Sequence, residues 1–314
     1  MLRITVLVEN SDGKDLCGEH GLSLHIEYDG RQYLLDAGAT ELFADNAAKL
    51  GLSLADVDAA FLSHAHYDHA GGLSRFFAEN HTAKVYLQEA ARENCYEEKA
   101  GARKYIGIPR GLLREHADRL CFVPGAPEDP QAGAAGKDPA IVACSEQPAA
   151  LGDAARDDCS AKTSVAPGIW ILPHTTPNLE EQGRKAHMYR LEQDGYQIDD
   201  FAHEQSVVFE TAKGLVLCNS CSHGGIVNIV KEAQRALQKE VYAVIGGFHL
   251  KGPGGVDSMA VSPEEVEEIG RQLTQLGVKR IYTGHCTGEP AFGILQKCFP
   301  EEVKRLRTGM VLSF

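Results

Sequence analysis

Four side chains that can hold a metal ion, His64, His66, Asp68 and His69, fall within six residues, directly behind the short apolar run Ala59 to Leu62. Packing alone rarely requires such a crowd of imidazoles behind a buried strand, so the segment Ser63-His64-Ala65-His66-Tyr67-Asp68-His69 constrains what the rest of the chain has to build. In an extended stretch, residues two apart project to the same side. His64 and His66 can therefore grip one ion while Asp68 and His69, past a turn, face a second.

Around the cluster, strand and helix patterns alternate. β-branched and aromatic residues mark strands at Ile4 to Val8, Leu22 to Tyr28 and Gln32 to Leu35, with Asp29-Gly30 as a hairpin turn. A helix over Glu41 to Leu50 follows, with Thr40 as N-cap and Gly51 as its stop, and then the strand Ala59 to Leu62. Next come a helix over Leu73 to Glu79, a strand over Lys84 to Leu87 and a helix over Gln88 to Lys99. The stretch from Gly125 to Pro167 is rich in Ala, Gly, Asp and Pro without periodicity, and an irregular insertion is expected at about 95–165. Beyond it, strands at Ile169 to Leu172, Ser206 to Glu210, Leu215 to Cys218, Tyr242 to Ile245 and Arg280 to Thr283 alternate with helices at Ile226 to Leu237 and Pro263 to Leu276, the second capped by Ser262. This order implies an α/β architecture with sheets in the middle and helices outside, in a single domain over residues 1–314.

Charge narrows the partners. A net charge of −13 with no dense Lys/Arg run repels a long polyphosphate, so nucleic acid is excluded as substrate and a small molecule is expected. The first residues lack a signal-peptide pattern and no apolar stretch is long enough to span a bilayer, which excludes a membrane partner and points to the cytoplasm. Nine scattered cysteines, an odd number, fit reduced thiols, and Cys218-Asn219-Ser220-Cys221 is their one close pair.

His-x-His-x-Asp-His behind an apolar strand, with Gly71-Gly72 after it, Leu34-Leu35-Asp36-Ala37-Gly38 before it and Thr283-Gly284-His285 far downstream, resembles the metallo-β-lactamase superfamily. Val8-Glu9-Asn10, the run from Ser220 to Asn228, Gly246-Gly247-Phe248-His249-Leu250 and the run from Thr283 to Gly288 are similar to its branch of dihydropterin-ribofuranosylaminobenzene phosphate synthase-like proteins. The resemblance implies an αββα sandwich, two mixed sheets flanked by helices, and two divalent ions, zinc foremost with manganese or iron as alternatives. It also implies His285 as the last histidine ligand, a third histidine for the first ion and an acid bridging the two. No Gly-Asp ends the strand Leu215 to Asn219. His223 in Cys221-Ser222-His223 therefore takes the third-histidine role, with Cys221 as a softer alternative and His174 as a rival.

Asp36 is expected to orient a ligand histidine. His249, after two glycines that let the backbone approach a ligand closely, either touches substrate and donates a proton or is a buried histidine bonded to a neighbour. His203-Glu204-Gln205, ahead of a strand, reads as a solvated turn, with support of the ligand residues from behind as the alternative. No Gly-x-Ser-x-Gly elbow is present, and the glycine runs lack phosphate-loop spacing. The implied chemistry is hydrolysis, or transfer with similar activation, of a small phosphoester or ester-like, pterin-related substrate, with Asp68 both ligating and orienting the attacking water. Two alternatives stand beside it: an iron-dependent redox enzyme, and a non-catalytic metal or ligand sensor using Cys218 and Cys221.

Overall fold

The computed structural model describes residues 1–125, 162–254 and 257–314. In the strand Arg31–Leu35, Leu34 packs to one side while Tyr33 and Leu35 pack to the other, and all three are buried. A strand apolar on both faces belongs inside a layered molecule. It lies in a seven-stranded sheet ordered Val311–Ser313, Leu2–Val8, Ser23–Tyr28, Arg31–Leu35, Ala59–Phe61, Lys84–Gln88 and Leu120–Val123. Pairing is antiparallel through the opening hairpin and parallel from Arg31–Leu35 onward.

A second seven-stranded sheet runs Val303–Arg305, Arg280–Thr283, Val241–Ile245, Gly214–Cys218, Gln205–Thr211, Ile169–Pro173 and Thr163–Ala166. It too is mixed, with Gly214–Cys218 antiparallel to one neighbour and parallel to the other. The two sheets face each other through Tyr33, Leu35 and Phe61 on one side and Ile169, Phe209 and Val216 on the other. The Tyr33 ring lies 5.9 Å from Phe61 and 6.3 Å from Phe209. Truncating a phenylalanine in such a place to alanine costs about 3–5 kcal/mol.

Helices cover both outer faces. Leu34, Ala60 and Val85 pack against Phe43, Ala47 and Phe76 of the helices Leu42–Lys49 and Leu73–Glu79. Val208, Leu217 and Val244 pack against Ile229, Val266 and Leu295 of the helices Ile226–Leu237, Pro263–Gln275 and Glu289–Cys298. This is the expected αββα sandwich. Ser262 caps its helix as expected, its hydroxyl accepting from the Glu265 N–H at 3.2 Å while the Glu265 carboxylate accepts from the Ser262 N–H at 2.8 Å. The helix expected from Glu41 begins at Leu42, whose N–H donates to the Thr40 hydroxyl at 3.2 Å.

One element differs in kind. The helix expected over Gln88 to Lys99 is instead a loop followed by the strand Cys95–Lys99, which pairs with Ala102–Tyr105. Ala100 and Gly101, with φ of 52° and 76°, close the hairpin in left-handed conformations suited to strand twist. The mixed charges that suggested a helix face are cross-strand partners, Glu98 lying opposite Arg103 with an ion pair of 3.2 Å. These strands join Met188–Glu192 and Gly195–Ile198 in a four-stranded sheet. The expected irregular excursion is thus regular through Val123, and its residues 126–161 lie outside the described residues. Among the described residues, no helix is long and apolar enough to cross a membrane.

Candidate metal centre

Every loop reaching the candidate site leaves the carboxyl end of a strand, the usual place for chemistry in open α/β sheets. Asp36 follows Arg31–Leu35 and the histidine cluster follows Ala59–Phe61 in the first sheet, while Cys221 and His223 follow Gly214–Cys218, His249 follows Val241–Ile245 and His285 follows Arg280–Thr283 in the second. The site therefore straddles the seam between the sheets. Asp36, Ser222, His249 and His285 have φ of 59°, 59°, 50° and 48°. A non-glycine residue held in that region costs on the order of 1 kcal/mol, and the strain persists because the surrounding contacts fix it. The close approach at Gly246 is to the protein's own backbone: a Cβ there would sit 1.6 Å from the Asn219 carbonyl oxygen.

Hydrogen bonds assign the histidine tautomers. Asp36 accepts from the Ser63 N–H and hydroxyl, both at 2.7 Å, and from the Ser220 hydroxyl. Since the Ser63 hydroxyl hydrogen goes to Asp36, its oxygen accepts from His64 Nδ1 at 2.8 Å. His69 donates from Nδ1 to Asp36 at 2.8 Å, His223 from Nδ1 to Glu204 at 2.8 Å, and His285 from Nδ1 to Asn10 at 3.0 Å. Each of these four rings is thus protonated on Nδ1 and presents the Nε2 lone pair to the site, the arrangement that carboxylate and amide partners impose on ligand histidines.

Those lone pairs have little to bond to. Nε2 of His64, His66 and His223 are buried without a hydrogen-bond partner among the described residues. The three rings are neighbours, with centroids 4.6 Å apart for His64 and His66, 5.0 Å for His64 and His223, and 5.3 Å for His66 and His223. Burial, reinforced by the neighbouring imidazoles, holds His64 and His66 well below the ordinary histidine value, so both are neutral. Beside them, His69 Nε2 and His285 Nε2 lie 3.2 Å apart, and Asp68 Oδ2 lies 3.6 Å and 3.5 Å from them. Three acceptors turned on one another repel unless a cation, either a metal ion or the proton that His69 otherwise holds, lies among them. Ligand lengths of about 2.0–2.1 Å around a tetrahedral ion put neighbouring N and O donors roughly 3.3 Å apart, close to these spacings. Burial works to raise the Asp68 carboxyl, but His69 and His285 hold it well below the usual carboxylate range. In turn, Asp68 and Asp36 overcome burial and lift the His69 imidazole to about 10, as expected where local charge favours a cation. The donor set fits divalent metal.

At this seam Asp36, His64, His66, Asp68, His69, Cys221, His223 and His285 lie together, while Cys218 and His174 stand apart. Cys218 is buried between the sheets, away from Cys221, which lies against His69. His174 has Nε2 3.0 Å from the Ser206 hydroxyl, while its Nδ1 lies 2.8 Å from a Glu204 oxygen, in ion-pair range but with no hydrogen-bond partner among the described residues. His249 stands half-buried at the rim, its ring 4.5 Å from that of His223 and its Nδ1 unpartnered among the described residues.

His203-Glu204-Gln205 is no solvated turn, because all three side chains are buried. Glu204 accepts from the backbone N–H groups of His223 at 3.0 Å and Gly224 at 3.2 Å besides holding the His223 and His174 rings. His203 Nδ1 accepts from the Ala65 N–H at 3.2 Å and so braces the loop between His64 and His66. With His66, Asp199 and Cys95 it forms a buried group whose ligand atoms all lie within 4.8 Å of one another. Glu9, in the segment Val8-Glu9-Asn10, accepts from the His285 N–H. His20 stacks on His285 at 5.1 Å and lines, with Asn10, Lys251, His285 and Arg305, a cavity of about 370 Å³ next to the site.

Where a metal-fitted donor set lies at the seam of an αββα sandwich, residues 19–146 match the family model of the metallo-beta-lactamase superfamily. Over 328 aligned residues, 100% of this chain and 97% of the relative, the chain is 28% identical to 7,8-dihydropterin-6-methyl-4-(beta-D-ribofuranosyl)-aminobenzene-5'-phosphate synthase of Methanocaldococcus jannaschii. The solved structure of a metal-dependent hydrolase of the beta-lactamase superfamily superposes with a TM-score of 0.72 at 25% identity, covering 100% of this chain and 99% of that one. The metallo-beta-lactamase fold protein YhfI from Bacillus subtilis shares the fold at a TM-score of 0.51 and 12% identity, with both chains covered in full.

Proposed function

We propose that this chain is a metal-dependent hydrolase with a dinuclear site, acting on a small phosphoester or ester-like, pterin-related substrate. His64, His66 and His223 hold the first ion and Asp68, His69 and His285 the second. The observation that carries this reading is the convergence of buried Nε2 lone pairs with no partner among the described residues. Two divalent ions supply Lewis-acid activation of water near neutral pH and neutralise charge at the attacked centre.

The protein's own residues do the rest. Asp68 orients the attacking water with the oxygen it turns toward the site. His249, beside His223 with Nδ1 unpartnered among the described residues, hands a proton to the departing oxygen. Lys251, in the neighbouring cavity, suits an anionic group on a small substrate, whereas the net charge of −13 disfavours nucleic acid. Full-length similarity to a protein named as a synthase favours a second reading, group transfer with the same activation of an electrophile.

Elemental analysis of protein purified without added metal, paired with phosphomonoester and phosphodiester assays, tests the proposal. Near two equivalents of zinc or manganese with metal-dependent turnover is the expected result. Iron with no hydrolysis moves the reading to redox chemistry or sensing, and a chain that takes up no divalent metal overturns it. His66→Ala should lose metal and turnover together.

A further inference from the structure

The cavity beside the second metal position, about 370 Å³, stands at the low end of the range for small-molecule pockets. His20 is the wall between the two. Its ring stacks on His285 at 5.1 Å and also lines the cavity. The Asn10 side-chain oxygen accepts from His285 Nδ1 at 3.0 Å and from the Gly21 N–H at 3.3 Å, so its NH2 group faces His20 Nδ1 at 3.4 Å. The His20 proton is therefore on Nε2, 3.4 Å from Asp68 Oδ2. A molecule held at the metal position reaches the cavity by passing this ring.

Most charges that line the cavity are already committed. Glu9 accepts from the Ser11 N–H at 2.7 Å and from the His285 N–H. Glu19 accepts from the N–H groups of Ala39 and Thr40, both at 3.0 Å, and from the Thr40 hydroxyl at 2.7 Å. Arg305 is paired with Glu289 at 2.8 Å and lies over the Phe292 ring at 3.9 Å. Lys251 remains: among the described residues its ammonium has no hydrogen-bond or ion-pair partner. Its backbone N–H donates to the Cys286 carbonyl at 3.0 Å, and its stem lies against Gly288, where a Cβ would sit 3.1 Å from Lys251 Cβ. A half-buried cation, fixed at its base and uncompensated at its tip, attracts an anion into the cavity.

We propose that this cavity is a subsite for a second phosphate of the substrate, a phosphomonoester remote from the bond that reacts, with Lys251 as its counter-charge. The proposal rests on the hydrolase reading above and narrows its substrate class to a small phosphorylated molecule, with the reacting ester at one end and a spectator phosphate at the other. Phosphate is favoured over carboxylate because an ammonium acts as a point charge, and a phosphomonoester carries about −1.5 to −2 at neutral pH against a single charge on a carboxylate. The guanidinium fork that suits a carboxylate is occupied by Glu289.

Titration calorimetry of the zinc-loaded chain tests this with a series of α,ω-alkanediol bisphosphates of increasing length and the matching alkyl monophosphates. Either kind of probe can place one phosphate at the metal position, and only a bisphosphate can also reach Lys251. One member of the series should bind about 10- to 100-fold tighter than its monophosphate, the worth of one charge-assisted hydrogen bond. The advantage should disappear in Lys251→Ala and persist in Lys251→Arg, with two zinc ions retained in both variants. Equal binding of every bisphosphate and its monophosphate overturns the subsite, and an advantage that survives Lys251→Ala overturns the role of Lys251. Phosphoalkanoates, with a carboxylate in place of the remote phosphate, should bind more weakly than the bisphosphates; if they match them, the assignment to phosphate falls. A chain that holds two zinc ions but binds none of these probes overturns the phosphoester reading on which the subsite rests, and one that does not hold two zinc ions overturns the dinuclear site.

Discussion

Glu204→Gln isolates what a buried carboxylate does for the first metal position while keeping the shape of the side chain. One Glu204 oxygen accepts from the His223 N–H and ring, and the other faces the Gly224 N–H and the His174 ring, at 2.8–3.2 Å. All four partners present hydrogens, and burial, which works to raise the carboxyl, is outweighed by His223 and His174, which hold it well below its ordinary value. A glutamine side chain has one oxygen and one NH2 group, so in either orientation the NH2 confronts two donors. Two hydrogen bonds to a charged group are lost, and at about 1.5–3 kcal/mol each this destabilises the fold by roughly 3–6 kcal/mol. The His223 ring also loses the partner that fixes its tautomer, which should weaken the first ion about 10- to 100-fold. Urea unfolding of the chelated protein reads the first effect. Competition for zinc against a chromogenic chelator reads the second, with one ion weakened and the other held as in the wild type. Wild-type stability together with two undiminished zinc affinities would refute the assignment of Glu204 as the group that orients His223.

Asp36→Asn should weaken the ion held by His69 about 10- to 100-fold, because Asp36 holds that ring along with Ser63 and Ser220; zinc equivalents retained after dialysis measure it. His223→Ala should lose one ion and His174→Ala should keep both, since His174 Nε2 is bonded to Ser206 and its Nδ1 faces Glu204 at 2.8 Å; the reverse result exchanges their roles. Burial raises the Tyr33 phenol to about 12 from an ordinary value of 10. The folded chain therefore keeps a proton that the unfolded chain gives up, so this contribution is complete below pH 10 and is lost as pH rises through 12. Two units correspond to about 2.7 kcal/mol, and Tyr33→Phe should remove that much of the alkaline loss of stability in urea titrations at successive pH values.

The fold was legible where pattern and period agree. The opening hairpin, the helix capped by Ser262 and the strands leading to the site are all local signals that tertiary packing reinforces. Gln88 to Lys99 misled because the charged strand Cys95–Lys99, although paired on both sides in a small sheet, has no apolar alternation to distinguish it from a helix face, and its turn uses Ala100 where glycine or asparagine would have given a signal. In the site, the histidine cluster was legible because its donors are close in sequence. The roles of Glu204 and His203 were hidden because nothing local reveals that Glu204 reaches His223 or that His203 reaches the Ala65 N–H, 138 positions away in the chain. Left-handed backbone at Asp36, His249 and His285 was likewise invisible, since none of them is glycine.

The seam between the sheets also sets an order of events during synthesis. His69 and His285, whose Nε2 atoms meet, are 216 residues apart, and the bond from Ser220 to Asp36 spans 184. Chains fold from the N-terminal end as they emerge, so the turn carrying His64, His66, Asp68 and His69 exists long before its partners are made. Until the strand Arg280–Thr283 has docked, that turn offers an ion only half a coordination shell. Tight loading therefore marks the moment when the second sheet closes on the first, and an ion exchange rate measured on the finished protein reports how often that closure reopens.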